Sequence, residues 1–497
     1  MRGVNSILIA ASKMASLNRL VLIGCLGFCL LQAGPAGLAG ELPKVRVAPG
    51  KPTFVTSEGK PYSPLGVTYY RPGLGWAPQV WKQWDLEVTR RDFQRMKEAG
   101  VNCARVFLSY GSFMPQADKL DTNALAKLDA FLALGEANGI YIHPTGLDHW
   151  EGVPEWAKGD RYAEERLLQA QEFFWRELAA RYRGRNVIFA YDLLNEPAIG
   201  WDGRALRARW NQWLEKRHPN AESLARHWGT NAESLHLGQV ELPIPRTTTP
   251  AVRLQDYQDF REQVADEWIQ RQVRAIKSAD PEALVTVGYI QWSVPALLPG
   301  IQHYAAFRPD HQASMLDFLE VHFYPLANGF YEYTSPEAEW QNLAYLESVV
   351  REVAQFGKPV VLAEFGWCGG GKLTIDGGRH PAVTEENQAR WCVQAIETTR
   401  GLATGWLNWG FYDHPQAGDV SQLTGLLTTN GVPKAWGREF KRISEGLYDR
   451  PFQPADLSSR PALEWDRLRV DLPAAAAFRE RYLQSFRKTR ESQSPPK

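Results

Sequence analysis

Residues 359–366 read PVVLAEFG, a short apolar run that ends in an acidic residue and a glycine. Residues 188–197 read IFAYDLLNEP, a second apolar run that ends in polar residues. Short runs rich in Val, Ile, Leu and aromatic side chains are typical of buried β-strands. Six further runs of this kind are found at residues 64–69, 103–109, 140–145, 284–290, 318–324 and 405–411. We predict a strand at each of the eight positions, over residues 188–194 and 359–365 in the two quoted stretches.

The stretches between these runs have the apolar spacing of helices. Apolar residues recur three and four positions apart, for example at Leu125, Leu128, Phe131 and Leu132. Asn138-Gly139 precedes the third run, where a helix is expected to end. Strands that alternate with helices predict a parallel sheet, and eight such units in a row predict a closed (β/α)8 barrel of the TIM type.

Three segments depart from this regular alternation. Residues 197–283, between the fourth and fifth strands, are too long for a simple crossover and predict a helical insertion. Residues 53–62 predict a small hairpin that closes the barrel bottom. The barrel domain is expected to cover residues 40–447, followed by a C-terminal extension over 448–497 that ends in a disordered basic tail.

The N-terminus has the pattern of a secretory signal peptide over residues 1–39. Basic residues precede the apolar run Leu20–Leu31, and small residues follow it. That run is shorter than the roughly 20 residues of a comfortable membrane span. An uncleaved anchor and a lipoprotein signal ending at Cys25 are the alternatives. We expect an exported protein, secreted or periplasmic, with no stable membrane partner.

Composition favours a neutral ligand. The chain has 56 basic and 56 acidic residues, so no net field attracts nucleic acid, and no nucleic-acid partner is expected. Its 19 tryptophans offer broad apolar faces with one N–H donor each, which suit stacking against sugar rings. A carbohydrate substrate is therefore the expected partner, whereas the sequence does not indicate an oligomeric state.

The cysteines and histidines predict neither a disulfide framework nor a metal site. Cys103, Cys368 and Cys392 follow the predicted signal peptide, and Cys368 and Cys392 could pair. No Cys-x-x-Cys or His-Glu-x-x-His spacing occurs in the mature chain. We therefore expect no metal and no organic cofactor.

Two predicted strands end in a glutamate, Glu196 after the fourth and Glu364 at the end of the seventh. The carboxyl ends of all barrel strands meet at one mouth, where such residues can act together. Retaining glycoside hydrolysis needs two carboxyl groups about 5–5.5 Å apart, one as nucleophile and one as acid/base. Strands four and seven face each other across the mouth and could provide this pair.

Asn195-Glu196-Pro197 together with Glu364-Phe365-Gly366 resembles clan A of the glycoside hydrolases, and family 5 most closely. The resemblance covers most of the mature chain. It implies that Glu196 is the acid/base and Glu364 the nucleophile. It also implies that Asn195 hydrogen-bonds the sugar 2-hydroxyl.

The same resemblance implies supporting roles on other strands. Arg105 matches the arginine near the nucleophile, and His322-Phe323-Tyr324 matches a His-x-Tyr motif. Tyr324 is expected to donate to Glu364, and His322 to lie near Glu196.

Some positions at the mouth allow alternatives. Trp409 is the expected aromatic platform beneath the sugar, with Trp406 as its competitor. For the third strand we favour His143 over His149. Other potential sugar contacts are Tyr69, Trp150 and Trp367.

The expected activity is retaining hydrolysis of a β-linked polysaccharide or oligosaccharide, with β-mannan favoured over β-glucan, as in endo-β-mannanases and cellulases. The alternatives are a β-galactosidase-like exo-glycosidase, a transglycosylase and a non-catalytic carbohydrate-binding barrel. The choice between internal and terminal cleavage depends on whether the insertion leaves an open groove or caps a pocket.

Overall fold

The computed structural model describes residues 41–73, 79–244, 251–295, 305–325, 335–375, 380–468 and 471–493. The predicted signal peptide at 1–39 lies outside the described residues. None of the helices in these ranges has both the length and the apolar content required to cross a membrane.

The described part of the chain contains strands that form a small sheet and a barrel. The strands are β1 (Val45–Val47), β2 (Phe54–Thr56), β3 (Pro61–Tyr62), β4 (Leu65–Thr68), β5 (Cys103–Ser109), β6 (Tyr141–Asp148), β7 (Tyr191–Asn195), β8 (Val285–Ile290), β9 (Leu319–Phe323), β10 (Val360–Phe365) and β11 (Gly405–Asn408).

Strands β4 to β11 form a closed parallel barrel in which each strand pairs with the next and β11 pairs with β4. Each of the eight predicted runs overlaps one barrel strand, so the predicted (β/α)8 barrel is confirmed. The first and last strands are shorter than predicted, since they end at Thr68 and Asn408. The residues beyond them form part of the mouth.

Helices lie between the barrel strands and follow them. They are α1 (Gln79–Lys82), α2 (Leu86–Glu98), α3 (Tyr110–Phe113), α4 (Thr122–Asn138), α5 (Glu165–Tyr182), α6 (Arg207–Arg217), α7 (Ala221–Trp228), α8 (Ala251–Ala279), α9 (Pro309–Gln312), α10 (Pro336–Ala354), α11 (Glu385–Thr399), α12 (Ala435–Glu445), α13 (Trp465–Leu468) and α14 (Leu472–Gln493).

Helix ends follow local sequence signals. The carboxylate of Asp121 accepts a hydrogen bond from the backbone N–H of Ala124 and so caps the start of α4. At the other end Gly139 has φ 72°, a left-handed conformation that glycine adopts at low cost. The buried face of α4 includes Leu128 and Phe131, two of the residues whose spacing predicted the helix.

The barrel bottom is covered by β1, β2 and β3, which form an antiparallel sheet. Phe54 of β2 packs edge-on against Phe189 and Phe318 at centroid distances of 5.1 and 5.2 Å. Phe54 is 1% exposed, and with Tyr62 it belongs to an apolar cluster at the starts of the barrel strands. The hairpin predicted at 53–62 is present within this sheet.

The connection from β7 to β8 contains α6, α7 and α8, which confirms a long helical insertion after the fourth barrel strand. Helix α8 spans 29 residues and packs along α5. After α12, the C-terminal segment packs against α10, where the hydroxyl of Tyr482 on α14 donates to Glu347 at 2.9 Å. The four residues after α14 lie outside the described residues, so the disordered tail stays a prediction.

Candidate active site

Two carboxyl groups face each other at the mouth of the barrel. Glu364 lies in β10 and is 3% exposed, whereas Glu196 follows β7 and is partly exposed. One carboxylate oxygen of each lies within 4.8 Å of the other. Glu196 has φ 45°, a conformation that non-glycine residues adopt rarely and at a cost, and its N–H donates to the carbonyl of Gly288 at 2.9 Å.

Arg105 lies inside the barrel and contacts both Glu364 and the neighbour of Glu196 in the sequence. Its buried guanidinium donates to Glu364, to Asp192 at 2.9 Å and to the Oδ1 of Asn195 at 2.8 Å. Because Asn195 accepts through its oxygen, its amide N–H groups remain available to another partner. The planar fork of arginine therefore fixes the positions of a carboxylate and an amide at once.

Strand β9 and the residue after it contribute two more contacts. The hydroxyl of Tyr324 donates to Oε2 of Glu364 at 2.9 Å. Nδ1 of His322 lies 3.1 Å from Oε1 of Glu196 and 3.7 Å from Oε2 of Glu364. The four side chains thus form a continuous polar network.

The surroundings of the two carboxyl groups differ. Burial raises the pKa of Glu196 to about 7, opposed by the positive charge of Arg105. Burial also raises the pKa of Glu364, but His322, Arg105 and the Tyr324 hydroxyl oppose that rise. Since Glu364 has more partners that stabilise its charged form, the arrangement favours a proton on Glu196 and a charge on Glu364.

His322 is kept neutral by its position, because its burial lowers the pKa of the imidazole. The ring lies against Gly288 of β8, where a Cβ atom would come within 2.9 Å of His322 Cε1 and Nε2. The N–H of Gly288 also donates to Asp192 at 2.9 Å. A glycine at this position is therefore required for the observed placement of the histidine.

The two candidate tryptophans point in different directions. Trp409 packs near Tyr70 and Phe107, with ring centroids 5.5 and 6.1 Å away, and its Nε1 donates to Ser421 at 2.6 Å. Trp406 donates to Thr399 of α11 at 2.9 Å and so faces the outer helices. Of the two, Trp409 lies on the side of Phe107, whose ring also contacts Arg105.

His143 and His149 also lie at different depths. His143 is fully buried in the barrel, where Nδ1 donates to the carbonyl of Ala190 at 2.8 Å and Nε2 bonds to Glu320. Both ring nitrogens are occupied, so the structure does not bring His143 to the mouth as a sugar contact. His149 is exposed and lines the same cleft as Glu196.

Of three further residues predicted to contact the sugar, two are buried and one lies at the rim of the cleft. Tyr69 points towards α2 and donates to Asp92 at 2.8 Å, and Trp367 packs against Trp391 of α11 at 6.4 Å between centroids. Both are buried away from solvent. Trp150 is 44% exposed and stacks on His149 at 4.7 Å, so it lies at the rim of the cleft.

The cleft beside Glu196 is bounded by the loop after β6 and by the start of the insertion. Its volume is about 540 Å³. Polar lining residues are Tyr110, His149, Lys158, Arg161, Tyr162, Asn195 and Glu196. Asn195 and Glu196 therefore present their side chains to a space open to ligands.

The comparison with family models identifies the chain. The model described as Cellulase (glycosyl hydrolase family 5) matches residues 59–414, which include both glutamates and most of the barrel. The chain belongs to glycosyl hydrolase family 5. The resemblance noted from the two glutamate motifs is thereby confirmed.

A curated relative and several solved structures are similar to this family 5 chain. A probable mannan endo-1,4-beta-mannosidase A from Aspergillus clavatus is 23% identical over 172 residues, which cover 32% of this chain and 47% of that protein. The match thus spans about half the length of the curated relative.

Two solved structures show the same fold. A GH5_18 protein from Streptomyces cattleya, in complex with Manb1-4GlcNAc, has a TM-score of 0.61 and 17% identity, covering 86% of this chain and 92% of that chain. A beta-galactosidase from Halorubrum lacusprofundi has a TM-score of 0.64 and 17% identity, covering 85% and 64%.

Sequence reasoning missed several residues of this family 5 site. Asp192 and Gly288 hold Arg105 and His322 in place, and Tyr70, rather than Tyr69, packs beside Trp409. Asp192 precedes the Asn195-Glu196 pair in the same strand, so an acidic residue inside an apolar run was the available signal.

Several groups of side chains could hold a metal ion on distance alone. Glu196, His322 and Glu364 form one such group, and His143, Asp192 and Glu320 form another that is fully buried. Arg105 donates to both Glu364 and Asp192, and its charge disfavours a cation in either group. Cys368 and Cys392 are buried free thiols in the structure.

Proposed function

We propose that this family 5 protein is a retaining β-glycoside hydrolase with Glu196 as acid/base and Glu364 as nucleophile. The observation that carries the proposal is the approach of the two carboxylate oxygens to within 4.8 Å. Retaining enzymes have carboxyl groups about 5–5.5 Å apart, whereas inverting enzymes leave about 6.5–9.5 Å for a water molecule. The short separation therefore favours the retaining geometry.

In the first step Glu364 attacks the anomeric carbon and forms a glycosyl ester as the bond to the leaving oxygen breaks. Glu196 gives its proton to that oxygen, so the leaving group departs as an alcohol. Because burial raises the pKa of Glu196 to about 7, this carboxyl group keeps its proton at lower pH. Arg105 and Tyr324 keep Glu364 ionised and hold it in place.

In the second step Glu196, now ionised, takes a proton from water as the water oxygen attacks the anomeric carbon. The ester bond to Glu364 breaks, its carboxylate is regenerated, and the sugar leaves with its original configuration. His322, near both carboxyl groups, donates to the ionised form of Glu196 through Nδ1. Arg105 orients Asn195, so that the side-chain N–H groups of Asn195 can bind the sugar 2-hydroxyl. This hydrogen bond strengthens in the transition state.

We propose β-1,4-linked mannose units as the substrate. The curated relative is a probable mannan endo-1,4-beta-mannosidase, and one structural neighbour holds Manb1-4GlcNAc. Another neighbour is an exo-beta-1,4-mannosidase from an Opitutaceae bacterium, with a TM-score of 0.58 and 19% identity over 82% of this chain and 63% of that chain. The cleft volume of about 540 Å³ lies in the range of ligand sites and has room for sugar units.

We also propose that the chain is exported, on the basis of the charged and then apolar pattern over residues 1–39. Expression with the full N-terminus, followed by N-terminal sequencing of the processed protein, tests this. Cleavage near Ala39 supports export, whereas an intact N-terminus in the cytoplasm contradicts it.

The substrate and the mechanism are tested together by hydrolysis of β-mannan, glucomannan, carboxymethylcellulose and aryl β-mannosides, β-glucosides and β-galactosides. NMR of the first product of an active substrate gives its anomeric configuration. We expect release of β-configured mannosides that is abolished in Glu196→Gln and Glu364→Gln. Glu87→Gln, an exposed carboxylate on α2, is the matched control and keeps full activity.

The alternatives predict different outcomes. Activity on β-galactosides alone favours the β-galactosidase-like alternative, and transfer to an added acceptor sugar favours transglycosylation. Carbohydrate binding without any hydrolysis contradicts the proposal and favours a binding barrel. An α-configured first product contradicts the retaining mechanism.

A further inference from the structure

The insertion between β7 and β8 brings three potential metal ligands together away from the mouth residues described above. His218 ends α6, His227 lies on α7 and Asp256 lies on α8. One ring nitrogen of each histidine and one oxygen of the aspartate lie within 4.8 Å of one another. Tetrahedral ligands bonded to one zinc ion at about 2.0–2.2 Å lie about 3.4 Å apart, so side-chain rotations that close the spacing by about 1 Å would complete the site.

The aspartate is held in an orientation that favours this arrangement. The indole Nε1 of Trp228 donates to Oδ2 of Asp256 at 2.6 Å. Nε2 of His227 lies 3.1 and 3.0 Å from the two oxygens of the same carboxylate. A hydrogen bond that fixes a ligand from behind is typical of metal sites.

The two imidazoles approach each other without a hydrogen bond between them among the contacts of the described residues. Their ring centroids are 5.2 Å apart with an interplanar angle of 32°. Nδ1 of His218 has a weak contact with Ser223 Oγ at 3.4 Å. His227 is directed by its contacts with Asp256, whereas the long contact with Ser223 does little to fix the ring of His218.

The site has one negative charge, and the basic residue next to His218 in the sequence is directed elsewhere. The Arg217 guanidinium is held over the Trp213 ring, 3.7 Å from its centroid. The carboxylate of Asp256 supplies one negative charge to the site.

We propose that His218, His227 and Asp256 bind one Zn²⁺ ion, with water as the remaining ligand. Two imidazole nitrogens and a carboxylate oxygen are a donor set that zinc prefers. The ion would connect the ends of three helices, α6, α7 and α8, and stabilise the insertion. Its ligands lie on separate helices and far apart in sequence, which is why spacing motifs did not predict it.

A zinc ion in the insertion would also affect the cleft, because the insertion contacts the cleft wall. Arg209 on α6 donates to the carbonyl of Tyr162 at 3.3 Å, and Tyr162 lines the cleft beside Glu196. Zinc therefore restrains a helix that contacts the cleft wall.

The test uses the untagged full chain after treatment with EDTA. Isothermal titration with ZnCl₂ is expected to give one binding site, and Co²⁺ is expected to give the visible absorption of a tetrahedral complex. His218→Gln, at the surface, is expected to weaken zinc binding at least about 100-fold, since even indirect partners of a ligand cost 10–100-fold. His236→Gln, an exposed histidine of the same insertion, is the matched control and leaves the affinity unchanged.

Two outcomes would overturn the proposal. One is the lack of a zinc complex in the wild-type protein at millimolar ZnCl₂. The other is unchanged affinity in His218→Gln together with zinc inhibition of hydrolysis, which would assign the ion to the Glu196, His322 and Glu364 group. Circular dichroism of His218→Gln verifies that the variant is folded.

Discussion

The contact between Tyr324 and Glu364 allows a quantitative prediction. The tyrosine hydroxyl donates to the carboxylate at 2.9 Å, and Tyr324→Phe removes only that donor. A hydrogen bond to a charged group contributes about 1.5–3 kcal/mol, and one pKa unit corresponds to about 1.36 kcal/mol. Loss of the donor should therefore destabilise the ionised form of Glu364 and raise its pKa.

Because Glu364 must be ionised to attack, a higher pKa moves the acidic limb of the kcat/KM profile to higher pH. At the pH values of the acidic limb, kcat/KM of Tyr324→Phe should be about 10- to 100-fold lower than that of the wild type. At higher pH the loss should be smaller. The assay is the pH dependence of kcat/KM on an aryl β-glycoside.

Tyr182→Phe is the matched control, because the Tyr182 hydroxyl at the end of α5 donates to Asp129 of α4 at the same distance of 2.9 Å, on the outer helices. It should leave both limbs of the profile unchanged. An acidic limb in Tyr324→Phe that coincides with that of the wild type would refute this reasoning.

Three more predictions concern Glu196, Trp409 and Gly288. Above pH 7, kcat/KM should fall about tenfold per pH unit as Glu196 loses its proton, and a rate that is flat to pH 9 contradicts this. Trp409→Phe should lower kcat/KM about tenfold, whereas Trp406→Phe, which faces α11, should stay within about twofold. Gly288→Ala places a Cβ 2.9 Å from His322 and should lower the free energy of unfolding by about 1–3 kcal/mol, measured by urea denaturation. Gly418→Ala, which meets no atom within 4 Å, should leave that free energy unchanged.

The barrel was predictable because each strand is a short apolar run and the helices between them have apolar residues three and four positions apart. The two glutamates were predictable for the same reason, since each comes at the end of such a run. In the structure the registers of β7 with β8 and of β9 with β10 shift just before Asn195 and Glu364. These irregularities belong to strand pairing, which the sequence of one strand does not determine.

Alternation along a strand predicted opposite directions for Trp406 and Trp409. The two rings do point to different sides, although Trp409 comes one residue after β11. The role of Trp409 as the platform beneath the sugar stays a prediction. Alternation gave no direction for Tyr69, because β4 ends at Thr68, before this residue. By alternation along β6, His143 points into the barrel, but it lies deeper than the two carboxyl groups. Depth in a barrel depends on the stagger of the strands rather than on the residue type.

The central claim is that Glu364 forms a covalent bond with the sugar. The most direct test is incubation with 2-deoxy-2-fluoro-β-mannosyl fluoride, followed by proteolysis and mass spectrometry of the labelled peptide. We expect one added fluorosugar per chain, attached to Glu364, with loss of activity at the same rate as labelling. A label on another residue, or inactivation of Glu364→Gln at the wild-type rate, would contradict the account.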